Sequence, residues 1–340
     1  MKRALTVLAI TLAVLGCTPQ QPGAEAPSSA APNEAAAPAL PDATGAPAPA
    51  GDLSFAVVPK GLTHQFWLTV KKGAETAAAE RQVKITWLGP EKETDVVKQI
   101  NIIEDMIGSG VNGIVMAACD QDALVDVVKR ASDKGITVVT IDSGVNSEIP
   151  VSFVATDNTA GAAAAAKELA RLINNEGEVG VIPFVKGAST SELREQGFMK
   201  GIAEFPNIKV VAVQHCQSDV SKAMNVTEDM LTANPNLKGI FAANEPAALG
   251  AAQAIEAAGK TGQVKIVAFD ASDDEVSALK RGVIQALAVQ NPFKMGYEGV
   301  KAAFDHIKGQ PVEKRIDTGV TMVTQENMND PEILKLLNPL

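Results

Sequence analysis

One stretch of this chain occurs twice, about 126 residues apart, and each copy leads to a carboxylate. Gly113 to Leu124 (GIVMAACDQDAL) runs through a helical pattern to Ile136–Ser143 (ITVVTIDS), and Gly239 to Leu249 (GIFAANEPAAL) runs to Val264–Ala271 (VKIVAFDA). A short apolar run, a polar break, an amphipathic helix and a second apolar run is the pattern of a parallel βαβ unit whose strands are buried on both faces. Its repetition implies two related lobes. In open parallel sheets, ligands bind outside the carboxyl ends of the strands. Asp142, Asn244 and Asp270 fall at such ends, so lobes that face one another would bring these groups to one cleft.

The rest of the body repeats the alternation. Apolar runs at Leu53–Val58, Val83–Leu88, Ile114–Ala117, Ile136–Ile141 and Val151–Ala155 form one series; Val179–Phe184, Ile208–Val213, Gly239–Ala243, Val264–Phe269 and Ile284–Val289 form the second. Strands alternating with helical segments predict an α/β protein with two parallel, Rossmann-like sheets. Asp219 is placed to cap a helix, and Ser189 with Glu192 three residues on reads as a capping box.

The N-terminus carries an address. Lys2 and Arg3 precede an apolar run, Ala4 to Leu15, that is too short for a membrane anchor and has the form of an export signal. It stops at Val14–Cys17 (VLGC), which resembles the bacterial lipobox and implies acylation of Cys17 as the first mature residue. From Thr18 to Gly51 there are eight prolines and one leucine, a composition that cannot build a core and suits an extended tether.

Composition narrows the function. A net charge of −10 argues against nucleic acid as a partner. Three histidines lie far apart, and besides Cys17 only Cys119 and Cys216 are present, so neither a metal site nor a disulfide framework is expected. The Gly-rich dinucleotide and P-loop signatures are absent, as is a G-x-S-x-G nucleophile elbow. No cofactor and no enzymatic activity are expected. Cys119 and Cys216 are expected as reduced thiols, because a bond between the lobes would stop them moving.

Six separated motifs carry a resemblance: Thr63–Trp67 (THQFW), Thr140–Ser143 (TIDS), Leu193–Phe198 (LREQGF), Ala243–Gly250 (ANEPAALG), Ala268–Asp270 (AFD) and Ala288–Pro292 (AVQNP). In this order and spacing the chain resembles the type I periplasmic sugar-binding proteins, the ribose-binding-like receptors of ABC importers. The resemblance covers nearly all of residues 53–326. It implies two lobes joined by three hinge strands and closing around a monosaccharide or polyol, with an ABC permease as partner, a monomeric state and no turnover.

The resemblance implies domains at 1–16 (signal), 17–51 (lipidated linker), 52–155 with 291–319 (first lobe), 156–290 with 320–326 (second lobe) and 327–340 (tail). It also implies a ligand set of His64, Phe66, Trp67, Asp142, Arg194, Asn244, Asp270 and Gln290. The chemistry suits a sugar, since carboxylates, a guanidinium and amides match hydroxyls that donate and accept, and Phe66 and Trp67 would sandwich the ring. Asp142, Asp270 and Asn244 are equally placed to cap helices. Three positions depart from the pattern. Ala117 and Ala118 stand where the ribose receptor has Asn-Pro, Ser143 where it has arginine, and Ser218 near the place of an aromatic. These changes make ribose doubtful, and the added cations Lys60 and His64 leave an acidic sugar open. A sensor read by a signalling protein would share this body.

Overall fold

The computed structural model describes residues 53–338. The signal segment, Cys17 and the tether lie outside the described residues. Chain order is β1 (Ser54–Val58), α1 (Gln65–Arg81), β2 (Lys84–Trp87), α2 (Val96–Gly108), β3 (Gly113–Met116), α3 (Val125–Asp133), β4 (Thr137–Ile141), β5 (Ser152–Ala155), α4 (Asn158–Leu172), β6 (Gly177–Ile182) and α5 (Ser189–Ile202). It continues with β7 (Ile208–Val213), α6 (Val220–Ala233), β8 (Leu237–Ala242), α7 (Glu245–Ala257), β9 (Lys265–Phe269), α8 (Asp273–Lys280), β10 (Ala286–Gln290), α9 (Pro292–Ile307), β11 (Arg315–Asp317), β12 (Val320–Thr324) and α10 (Pro331–Leu337).

The strands form two six-stranded sheets, ordered β2-β1-β3-β4-β5-β11 and β7-β6-β8-β9-β10-β12. The two orders match strand for strand, which is the structural form of the sequence repeat: β3 corresponds to β8 and β4 to β9. Runs without polar alternation become central strands, and every residue of β3, β4 and β10 is buried. Apolar cores cover both faces of the first sheet, and one larger core fills the second lobe.

The expectation of purely parallel sheets needs one correction: β12 runs antiparallel to β10. Only Thr318 and Gly319 separate β11 from β12. The chain therefore passes straight from one sheet into the other, without the helical crossover that a parallel entry needs.

The chain passes between the sheets three times, at residues 156–157, at Asn291 and at residues 318–319. Thr156 Oγ1 lies 3.3 Å from Thr318 Oγ1 and donates to Gly319 O at 3.2 Å, lacing two of these passages together. Each passage also exchanges a helix. The segment after β5 becomes α4, which packs on α5 and β9 of the second lobe, while α9, after β10, packs on α1 and β4 of the first. Glycines let the exchanged helices approach closely. A Cβ on Gly73 would lie 2.0 Å from Phe293 O, one on Gly296 2.0 Å from Val70 O, and one on Gly197 2.5 Å from Thr159 O.

Asp219 caps α6 by accepting from Lys222 N at 2.9 Å, but the capping box expected at Ser189 does not form. The N-cap of α5 is Ala188; Ser189 Oγ instead accepts from Gly144 N of the other lobe, and Glu192 accepts from Gly187 N and Gln121 Nε2. A long-range partner has displaced the local one. The capping box that does form joins Ser272 and Glu275. Helix α10 buries Ile333 in the second lobe's core.

Candidate functional site

The repeated carboxylates sit at equivalent points. Asp142 follows β4 and Asp270 follows β9, and both have left-handed backbone, with φ of 54° and 81°. Each donates its N–H to the neighbouring strand, Asp142 to Val154 O at 3.0 Å and Asp270 to Ala288 O at 3.1 Å. The turn ends the ladder and aims each carboxylate across the sheet edge into the space between the lobes.

All eight residues singled out from the sequence line one cavity there: His64, Phe66 and Trp67 at the start of α1, Asp142 after β4, Arg194 on α5, Asn244 before α7, Asp270 after β9, and Gln290 at the end of β10. Arg194 is 2% exposed. It donates to Asn158 Oδ1 at 2.8 Å and Ala243 O at 2.7 Å, lies 4.0 Å from Asp270 and stacks 4.1 Å from the Phe269 ring. Gln290 Nε2 donates to Asp270 at 2.6 Å, while its buried Oε1 has no partner. Asn244 takes the capping role. Its Oδ1 caps α7 through Ala247 N, and its Nδ2 donates to Ser218 Oγ.

The expected aromatic sandwich is not built by Phe66 and Trp67. Their rings meet edge to face, with centroids 4.9 Å apart, because adjacent helical residues diverge by about 100°. No ring fits between them. Trp67 is buried in the first lobe's core and donates its indole N–H to Glu93 at 2.9 Å.

Five lining residues were missed: Glu93, Phe184, Thr190, Glu245 and Pro246. Glu93 accepts from Trp67 Nε1 and from Ser218 Oγ at 2.6 Å and pairs with His64 Nδ1 at 3.6 Å. Lys60, noted only as a cation, is fully inside. It contacts Asp142 at 3.0 Å, Ser143 Oγ at 2.8 Å and Thr190 Oγ1 at 3.0 Å, between the Trp67 and Phe184 rings. Lys60 thus places a positive charge beside Ser143, and Glu93 reaches across to Ser218.

These neighbours set the charge states. Burial pulls the Lys60 ammonium down, but Asp142 and Glu93 outweigh it and hold its pKa above the ordinary value. Burial likewise opposes the His64 imidazolium, and Glu93 reverses the balance, so His64 titrates higher than usual. Glu93 is held well below the carboxylate range because Lys60 and His64 overcome its burial. Asp270 and Glu245 are pushed up, chiefly by burial and against Arg194 for Asp270 and the α1 amides for Glu245. Behind them Glu275 is raised further, by burial and then by those two acids.

The lobes are in contact across the cleft. Lys60–Thr190, Ser143–Thr190, Gly144–Ser189, Gln121–Glu192 and Glu93–Ser218 all bridge them. The free space left among the inner side chains is about 20 Å³, on the order of one water molecule, so anything the size of a sugar enters with the lobes apart. A larger hollow of about 820 Å³ flanks the cavity between α1, α8 and α10 and shares Phe66, Glu245, Asp270 and Gln290 with it. Among the described residues no cluster of His, Cys, Asp and Glu could hold a metal ion.

Residues 55–311 match the model of the periplasmic binding protein domain. The chain belongs to that family. Its relatives include the D-ribose/D-allose-binding protein of Pseudomonas aeruginosa, 36% identical over 282 residues, covering 79% of this chain and 88% of the relative. The D-allose-binding periplasmic protein of Escherichia coli is 35% identical over 269 residues, 76% of this chain and 86% of that one. Among solved structures, a carbohydrate transporter solute-binding protein from Agrobacterium radiobacter in complex with D-arabinose superposes with a TM-score of 0.82 at 37% identity, covering 84% of this chain and 99% of that chain. Periplasmic binding proteins of this kind are the extracytoplasmic sugar-binding components of ABC importers and are not an enzyme family.

Proposed function

We propose that this periplasmic binding protein captures a neutral monosaccharide through the eight residues above, releases it unchanged to an ABC permease, and works as a monomer held to a membrane by acylated Cys17. The carrying observation is that donors and acceptors from both lobes converge on one cavity. A ligand that touches both sides stabilises the closed arrangement by its differential affinity for it. The charges favour a neutral sugar over a sugar acid. Lys60 and His64 already face Asp142 and Glu93, and Asp270 and Glu245 would repel an added carboxylate. The unpartnered Gln290 Oε1 is an acceptor suited to a hydroxyl. The pentoses and hexoses named for its relatives, D-ribose, D-allose, D-arabinose and D-fucose, are the first to test.

Thermal unfolding with each sugar checks the reading. Ligand at 100 times its Kd adds about 2.7 kcal/mol. A cognate sugar should therefore raise the melting temperature of the protein, and should do so far less for Asp142→Asn, a change that suits the left-handed backbone. No response to any sugar, or equal responses in both proteins, would sink it. For the anchor, Cys17→Ala should move the protein from the membrane fraction to the soluble extracytoplasmic fraction.

A further inference from the structure

Helix α1 begins without a cap of its own. Its N-cap residue, His64, makes no side-chain capping bond, and its first turn holds no acid. An uncapped start leaves N–H groups unsatisfied, and the helix dipole puts about half a positive charge there. Both needs are met from the other lobe. Glu245 Oε1 accepts from Gln65 N at 3.2 Å and Oε2 from Phe66 N at 3.1 Å. Glu245 is itself the first residue of α7, so its carboxylate lies where the positive ends of two helices from opposite lobes meet.

The contact is returned. Gln65 Oε1 accepts from the N–H of Asp273 at 2.9 Å, and Asp273 is the first residue of α8 in the second lobe. The capping box of α8 leaves that N–H to an outside acceptor. Each lobe therefore supplies a side chain that finishes a helix of the other. Separating the lobes strips both caps at once, while all the groups stay in place on their own lobes.

We propose, building on the two-lobed sugar receptor described above, that Glu245 and Gln65 are reciprocal cross-lobe helix caps that set the closure equilibrium and so scale affinity for every ligand alike. Glu245 is a positioning residue. Both its oxygens are engaged by backbone of α1, the helix whose first turn carries Phe66 and Trp67, and its hold fixes that wall of the cavity. This differs from the part given to Asp142 or Gln290, whose contacts with particular hydroxyls would change which sugar is preferred.

Glu245→Gln and Gln65→Ala separate the two roles. Calorimetry with D-ribose, D-allose, D-arabinose and D-fucose should show affinity falling about 3- to 30-fold, the range expected for a lost cap, by the same factor for each sugar that binds. The sugar-free melting temperature should fall only by what the closed population contributes, since neither cap is needed within a lobe. Labels at exposed Lys84→Cys and Lys209→Cys, one on each lobe, should report a smaller short-distance population in the sugar-free variants. A loss confined to one sugar would make Glu245 a ligand contact and overturn the proposal. So would an unchanged distance distribution. Should the wild type bind none of the four sugars, the receptor reading fails for them, while the distance measurement still decides the caps.

Discussion

Arg194 lines the cavity and also holds the fold together. It is buried, finishes the Ala243 carbonyl and the Asn158 side chain, and is the cation nearest Asp270. Arg194→Ala should lose about 3 kcal/mol of stability, read from urea midpoints at pH 7, as well as ligand affinity. Asp270 already titrates high and rises further without its cation. The deficit should therefore shrink as pH falls and Asp270 takes a proton. The His64–Glu93 pair has a defined window. A raised His64 contributes stability that is complete below its unfolded pKa, about 6.5, and is lost as pH rises through the folded value. The lowered Glu93 contributes above its unfolded pKa, about 4.3, and loses it only in stronger acid. Melting temperature should accordingly fall, as pH rises above about 6.5, by more in the wild type than in His64→Gln. The eight residues were legible because they stand at strand ends or in motifs of fixed spacing. Glu93 and Glu245 were not, because their partners lie across the cleft: Ser218 is 125 residues from Glu93, and Phe66 is 179 from Glu245. No local pattern marks such a pairing.

Among the elements, the helix pairs α1–α9 and α4–α5 are joints that depend on small residues. Gly296→Ala would place a methyl 2.0 Å from Val70 O, and Gly197→Ala one 2.5 Å from Thr159 O. Backbone cannot yield as a side chain tip does, so each should cost about 1–3 kcal/mol by overpacking. Gly309→Ala, which would meet no atom within 4 Å, serves as a control for the φ of +71° alone rather than for crowding. Denaturant titrations of the three give the ranking, and a loss no greater for Gly296→Ala than for Gly309→Ala would contradict it. Strands were readable because burial on both faces removes the polar alternation, as in β3 and β4. The antiparallel β12 was not readable. Its sequence resembles any half-buried strand, and its direction is fixed by where the chain crosses between sheets.

For the whole molecule, the two thiols test whether the lobes are tied together covalently. Cys119 and Cys216 are free and buried, one in each lobe. Burial pushes Cys216 up to about 11 and Cys119 higher still, so neither supplies thiolate at neutral pH. A thiol reagent should find none quickly in the native protein and two in denatured protein lacking Cys17. Finding none after denaturation would show a bond between them. A last consequence follows from the left-handed backbone at Asp142 and Asp270. Among non-glycine residues asparagine and aspartate enter that region most readily, and others pay roughly 1–2 kcal/mol, which biases both positions against most of the amino-acid alphabet. Selection for a new cargo therefore costs less at Lys60, Glu93 and Ser143, whose backbone is not left-handed, than at these two anchors. Saturation libraries at the two aspartates should return Asn and Gly as the least destabilised variants, whereas libraries at the three neighbours should yield altered preference at a smaller cost in stability. Diversity in such a receptor is written more readily around this pair of letters than in it.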